Sequence, residues 1–119
     1  MTMKIYSYPK CSTCRKAIKF LETSGARFET VDITATPPSR SELVSMLDRV
    51  GGDIRKLFNT SGQVYRELQL STKLPTMSTD EAMNLLASHG KLVKRPFLVV
   101  EGRAAAVGFD EAKWGKLFE

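Results

Sequence analysis

No apolar run in the sequence approaches the roughly 20 residues that a membrane-spanning helix needs; the longest toward the C-terminal part, Pro96 to Val100, is only strand-sized. A membrane-spanning helix is thereby excluded. The opening Met-Thr-Met-Lys-Ile-Tyr reaches Pro9-Lys10-Cys11 without the apolar core and small-residue cleavage site of a secretory signal, so a cytoplasmic location is expected. With two cysteines and one histidine the chain lacks the four or so ligands of an intrachain zinc site, and no metal is expected. Arg15, not histidine, follows the second cysteine, which excludes a haem attachment motif. A block of one charge is also missing. The 18 Lys and Arg outnumber the 13 Asp and Glu to give +5, but the signs alternate along the chain, so charge alone points to no nucleic-acid partner. No internal repeat or low-complexity segment is visible.

What is present fits one domain spanning residues 1–119, because two cores in so short a chain would each bury too little apolar surface. Ile5 to Tyr8 is β-prone and ends at Pro9, which cannot donate to a sheet ladder. From Ser12 onward Cys14, Ala17, Ile18 and Leu21 recur at helical spacing, with Gly25 as the stop, and Phe28 to Ile33 returns to a strand. A right-handed crossover of this length makes the two strands parallel and puts the intervening loop at the carboxyl edge of the sheet.

After Pro37-Pro38, Ser39 and Glu42 form a capping-box pattern leading into Leu43, Met46, Leu47 and Val50, and Gly51-Gly52 closes that helix. Short helices and turns are expected over 53–76. Ser78 and Glu81 repeat the capping pattern ahead of Ala82, Leu85, Leu86 and His89 on one face, with Gly90 as the residue after the helix end. His89, on that apolar face, is given no role. Phe97 to Val100 and Ala104 to Val107 flank Gly102 as a hairpin, and Asp110 to Phe118 reads as a last helix with Trp114, Leu117 and Phe118 on its apolar side. The order implies an α/β, thioredoxin-like fold: a mixed four-stranded sheet formed by residues 1–36 and 94–119, with a helical insertion over about 37–93.

The chemistry-bearing motif is Pro9-Lys10-Cys11-Ser12-Thr13-Cys14-Arg15-Lys16. In a reducing compartment, two cysteines three positions apart point to reactive thiols more than to a permanent bridge. A cysteine at a helix N-terminus near cations can have its pKa lowered from about 8.5 into roughly the 3.5–7.5 range. Cys11 stands at such a position, with Lys10 and Arg15 as neighbouring candidates for anion binding. Cys14 begins the apolar stripe, one turn inward, where it can attack a mixed disulfide formed on Cys11. The competing reading makes Cys14 a small core residue and Cys11 a bystander.

Beyond this motif, Tyr8 to Ala17, Phe58-Asn59-Thr60-Ser61-Gly62, Tyr65-Arg66-Glu67-Leu68, Lys94-Arg95-Pro96 and Val107-Gly108-Phe109 resemble the arsenate reductase (ArsC) and Spx family over nearly the whole chain. The resemblance implies a cis peptide between Arg95 and Pro96 facing the cysteine loop, where an ordinary trans proline is the alternative. In arsenate-reducing members a nucleophilic cysteine works with three arginines, then with glutathione and glutaredoxin. Cys11 and Arg95 carry over, but the other two arginines fall on Asn59 and near Gly108, and the activating histidine falls on Ser7.

In Spx members the cysteine pair is a redox switch and the protein binds the α-subunit of RNA polymerase. The expectation is therefore a thiol-dependent oxidoreductase with Cys11 as nucleophile and Cys14 as resolving thiol. Arg95, Pro96, Asn59, Lys10 and Arg15 would contact the substrate, glutathione would be a co-substrate with no bound cofactor, and glutaredoxin or thioredoxin would be partners. An Spx-like regulator is the alternative, and arsenate reduction a further one.

Overall fold

The structure, a computed structural model, describes residues 2–118. Four strands, β1 (Met3–Ser7), β2 (Glu29–Asp32), β3 (Phe97–Val100) and β4 (Arg103–Val107), form one sheet in the order β2-β1-β3-β4. β1 runs parallel to β2 across helix α1 (Ser12–Thr23), as a crossover requires, while β3 pairs antiparallel with both β1 and β4. The sheet is therefore mixed and the layout thioredoxin-like. β1 begins earlier than composition suggests because Met3 and Lys4 pair with Val100 and Val99. It also ends earlier, since Tyr8 turns away and its carbonyl accepts the Cys11 N–H at 3.0 Å.

Strand alternation sends successive side chains to opposite faces, and each face has its own core. Met3 and Ile5 of β1 join Ala17, Leu21, Leu98 and Trp114 under α1 and α6 (Glu111–Leu117). Tyr6, Phe97 and Val99 face the other way, into the cluster that buries the helical segment: α2 (Arg40–Arg49), α3 (Gln63–Glu67), α4 (Leu70–Lys73) and α5 (Thr79–Ser88). A bulge in the β3–β4 pairing, between Leu98 and Val99, inserts Ala105 on β4. Consequently Ala105 and Ala106 pack toward one core while Ala104 and Val107 pack toward the other.

The Ser39–Glu42 capping box forms as its spacing predicts, both reciprocal bonds being made, and Gly51 and Gly52 follow α2 at positive φ. At the start of α5, Ser78 Oγ accepts the Glu81 N–H at 3.1 Å, but Glu81 turns its carboxylate to the Ser78 hydroxyl instead of the backbone. Glu101 and Gly102, both at positive φ, make the hairpin turn. Three sequence expectations need correction. His89 is exposed, off the apolar face. Leu117 is 37% exposed, because Trp114 of α6 and Phe118 just after it are the residues that pack on Phe20. Gly90 does not take the left-handed conformation of a residue closing a helix. It opens a short 3-10 turn so close to β2 that a β-carbon would stand 1.7 Å from the Ile33 carbonyl oxygen.

Candidate active site

The loop from β1 to α1 ends at Cys11, whose extended backbone (φ −89°, ψ 114°) makes it the N-cap of α1. Its sulfur accepts the backbone N–H of Cys14 at 3.2 Å, the bond that an N-cap oxygen makes in other helices. The sulfur thus occupies the anion-favouring end of a three-turn helix. Cys11 is half-buried and opens on solvent, whereas Cys14 is 1% exposed beneath it. Burial pushes the Cys14 thiol up to about 12, and hydrogen bonding with Cys11 adds to this; the Tyr8 backbone and the positive charge of Arg95 act in the opposite direction without offsetting it. The inner thiol is held protonated at neutral pH while the outer one faces a cleft.

That cleft, of about 1040 Å³, has Cys11, Lys10, Asn59 and Arg95 in its lining, so the fold brings together four of the sequence-derived candidates. Asn59 arrives from the helical segment: its N–H bonds the Leu92 carbonyl at 2.7 Å, beside a Phe58–Val93 bridge and a Lys94 N–H to Leu57 carbonyl bond of 2.8 Å. These contacts hold the Asn59 loop next to the segment that carries Arg95. The Arg95–Pro96 peptide is cis, as the resemblance implies. The Pro96 carbonyl accepts the Gly108 N–H at 2.8 Å, tying the entry of β3 to the exit of β4. Pro96 itself is outside the cleft lining, and so is Arg15, whose guanidinium donates to the Pro9 carbonyl at 3.3 Å.

Arg95 is held by two neighbours. Its guanidinium carbon lies 4.9 Å from the centre of the Tyr8 ring, and one of its nitrogens donates to the Lys91 carbonyl at 3.3 Å. Four further cations line the cleft that sequence reasoning assigned no part in a site: Arg49, Lys94, Lys113 and Lys116. They come from α2, from the segment before β3 and from α6, so no local pattern in the chain announces their convergence. Gly108 leaves room for one of them, since a β-carbon there would lie 3.1 Å from Lys94 Cε. Among the described residues no group of three or more His, Cys, Asp or Glu is placed to hold a metal ion, and no helix is long and apolar enough to cross a membrane.

Comparison with known proteins bears on this arrangement. Residues 6–117 match the ArsC family. The Bacillus subtilis protein YusI is 50% identical over 111 residues, 93% of each chain. An arsenate reductase of Neisseria meningitidis is 33% identical over 104 residues, 87% of each chain. Regulatory protein MgsR of Bacillus subtilis is 29% identical over 115 residues, covering 97% of this chain and 89% of that protein. Among solved structures, an ArsC family related protein from Bacteroides fragilis superposes with a TM-score of 0.89 at 44% identity, covering 98% of both chains. With the sheet order, the cysteine at the head of α1 and the match over residues 6–117 in agreement, the chain belongs to the ArsC family.

Proposed function

We propose that this protein is a thiol-dependent oxidoreductase in which Cys11 is the nucleophile and Cys14 the resolving thiol. The observation that carries the reading is the position of Cys11: N-cap of α1, sulfur bonded by the Cys14 N–H, facing a cationic cleft, with a protonated second thiol behind it. The Cys11 sulfur attacks a disulfide, forms a mixed disulfide and expels one substrate sulfur. Cys14 then attacks Cys11, gives up its proton and releases the other substrate sulfur, so that two electrons pass from the protein dithiol to the substrate. Arg95, Lys10 and Asn59 would receive an anionic group such as a glutathione carboxylate, and Arg15 would add charge from outside the cleft. Glutaredoxin or thioredoxin would return the dithiol.

A disulfide reductase assay tests this. Cys11→Ser is expected to abolish turnover, and Cys14→Ser to stall at a mixed disulfide on Cys11 visible by mass spectrometry. Unchanged activity in Cys11→Ser would remove the nucleophile. Arsenate ranks lower as substrate, because Asn59 and Gly108 stand where a guanidinium would neutralise the oxyanion; arsenate-dependent NADPH consumption in a glutaredoxin-coupled assay would raise it. The similarity to regulatory protein MgsR favours a second reading as a regulator, and with the Spx resemblance its form would be one in which oxidation of the pair alters a surface offered to RNA polymerase. Redox-dependent pull-down with the polymerase α-subunit separates the two, since an oxidoreductase forms no stable complex there in either redox state.

A further inference from the structure

The cleft carries more positive charge than one small anion engages. Lys10, Arg49, Lys94, Arg95, Lys113 and Lys116 line it, against the carboxylate of Asp110 as the one acid of the lining among the described residues. That carboxylate is already the N-cap of α6, accepting the Lys113 N–H at 3.1 Å. Arg49 donates to the Ala105 carbonyl and Arg95 to Lys91. Lys10, Lys94, Lys113 and Lys116, by contrast, are paired with no carboxylate among the described residues. Like charges gathered without partners repel one another in the free protein and mark a surface that meets anions.

The lysines are spread out. Lys113 and Lys116 stand on α6 about 4.5 Å apart along the axis, and the Lys94 stem covers Gly108, two residues before the α6 cap. A volume of about 1040 Å³ slightly exceeds the range of roughly 300–1,000 Å³ for small-molecule sites. Ala105, Ala106 and Val107 of the edge strand form part of the wall. The tryptophan of the lining offers no platform for stacking a base: Trp114 is 1% exposed, its ring packed edge-on against Phe20 and Phe109.

We propose that the Lys94, Lys113 and Lys116 side of this cleft is a docking subsite for an acidic polypeptide segment, which delivers a disulfide-bonded cysteine next to it to Cys11. The inference rests on Cys11 being the nucleophile. In the step itself the Cys11 sulfur bonds to the substrate cysteine sulfur, and the sulfur bound to that cysteine leaves as a thiolate. Cys14 then displaces the peptide cysteine, losing its proton to solvent, and the resulting Cys11–Cys14 disulfide is reduced by dithiothreitol supplied in the assay.

The test uses the full chain and short peptides carrying one cysteine as a mixed disulfide with thionitrobenzoate, flanked by Asp and Glu in one and by Ser and Gln in the other. The acidic peptide is expected to show a kcat/KM about tenfold higher at low salt, carried by KM and largely lost at high salt. A Lys113→Gln, Lys116→Gln double variant should bring the ratio of the two peptides toward one. Equal kcat/KM at low salt, a ratio unaltered in the double variant, or an oligonucleotide of matched charge competing as well as the acidic peptide would each overturn the proposal. Anisotropy of fluorescent serine-for-cysteine peptides on Cys11→Ser protein keeps the two readings apart. Preferential binding of the acidic peptide without thiol chemistry in the native protein sinks the nucleophile and leaves the docking site. Thiol chemistry with no charge preference does the reverse.

Discussion

The Lys4 ammonium meets the Glu42 carboxylate at 2.8 Å, joining the inner strand β1 to the first helix of the inserted segment. Glu42, 7% exposed, also accepts the Tyr6 hydroxyl at 2.7 Å and the Ser39 N–H at 2.9 Å. Burial pushes its carboxyl up, but Lys4, the Ser39 N–H and the Tyr6 hydroxyl together outweigh that and hold it below the usual carboxylate range. Lys4 is raised, chiefly by its bond to Glu42. A carboxyl with a depressed folded pKa stabilises fully above its unfolded value, about 4.3, and that contribution fades as pH falls. The Lys4 contribution is complete below about 10.4 and fades as pH rises. Glu42→Gln is expected to cost about 1–3 kcal/mol at neutral pH and to flatten the acid limb of stability measured by urea unfolding. An acid limb as steep as in the native protein would remove the ion pair from this role.

Alkylation should separate the two cysteines. The Cys14 thiol is pushed up to about 12 by burial first and by Cys11 second, and lies 1% exposed. Iodoacetamide on the reduced, folded protein below pH 9 should give one adduct, on Cys11, by peptide mass spectrometry. A thiol with a raised folded pKa stabilises fully below its unfolded value of about 8.5, so stability of the reduced protein should decline from there toward pH 12. Equal labelling of both positions in the folded state would contradict a buried, protonated Cys14 thiol.

Two glycines should respond oppositely to alanine. At Gly90 the new β-carbon would stand 1.7 Å from the Ile33 carbonyl oxygen, a backbone atom that cannot move aside cheaply. Gly90→Ala is expected to destabilise by about 3 kcal/mol, at the upper end of overpacking costs. Gly115, inside α6, has nothing within 4 Å of its β-carbon position. Gly115→Ala should gain about 0.5–1 kcal/mol from reduced backbone freedom in the unfolded chain. Thermal unfolding of both variants decides; a neutral Gly90→Ala would mean that the turn can lift off β2.

These contrasts show which physical signals sequence carries. The capping box at Ser39 and Glu42, the stripe from Cys14 to Leu21 and the turn at Gly102 are local patterns, set by bonds and faces within a few residues, and each appears where its spacing puts it. Local spacing makes Gly90 a helix closer, the usual reason for glycine there, whereas its actual constraint is the distant Ile33 carbonyl. The exposure of Leu117 and His89 has a related cause: helical periodicity gives a face, but the neighbouring element decides how wide that face is. The position of the cysteine pair at the head of a helix is legible locally; the convergence of Arg49, Lys94, Lys113 and Lys116 on the cleft beside Cys11 is not, since tertiary structure alone brings those elements together.

Arg95 provides the sharpest test of how the cleft is organised. Its guanidinium lies 4.9 Å from the Tyr8 ring centre, and Tyr8 begins the turn that positions Cys11 through an N–H to carbonyl bond of 3.0 Å. A cation over an aromatic face at a partly exposed site is worth about 0.5–1 kcal/mol, or roughly two- to fivefold in binding. Tyr8→Phe keeps the ring face and should leave KM for an anionic disulfide unchanged within twofold, whereas Tyr8→Leu loses it and should raise KM about threefold with kcat retained. Arg95→Lys keeps the charge but not the planar fork, and should raise KM by about the same factor or more. If Tyr8→Phe and Tyr8→Leu behave alike in steady-state kinetics, the stack does not position Arg95, and the Lys91 carbonyl must be what holds it.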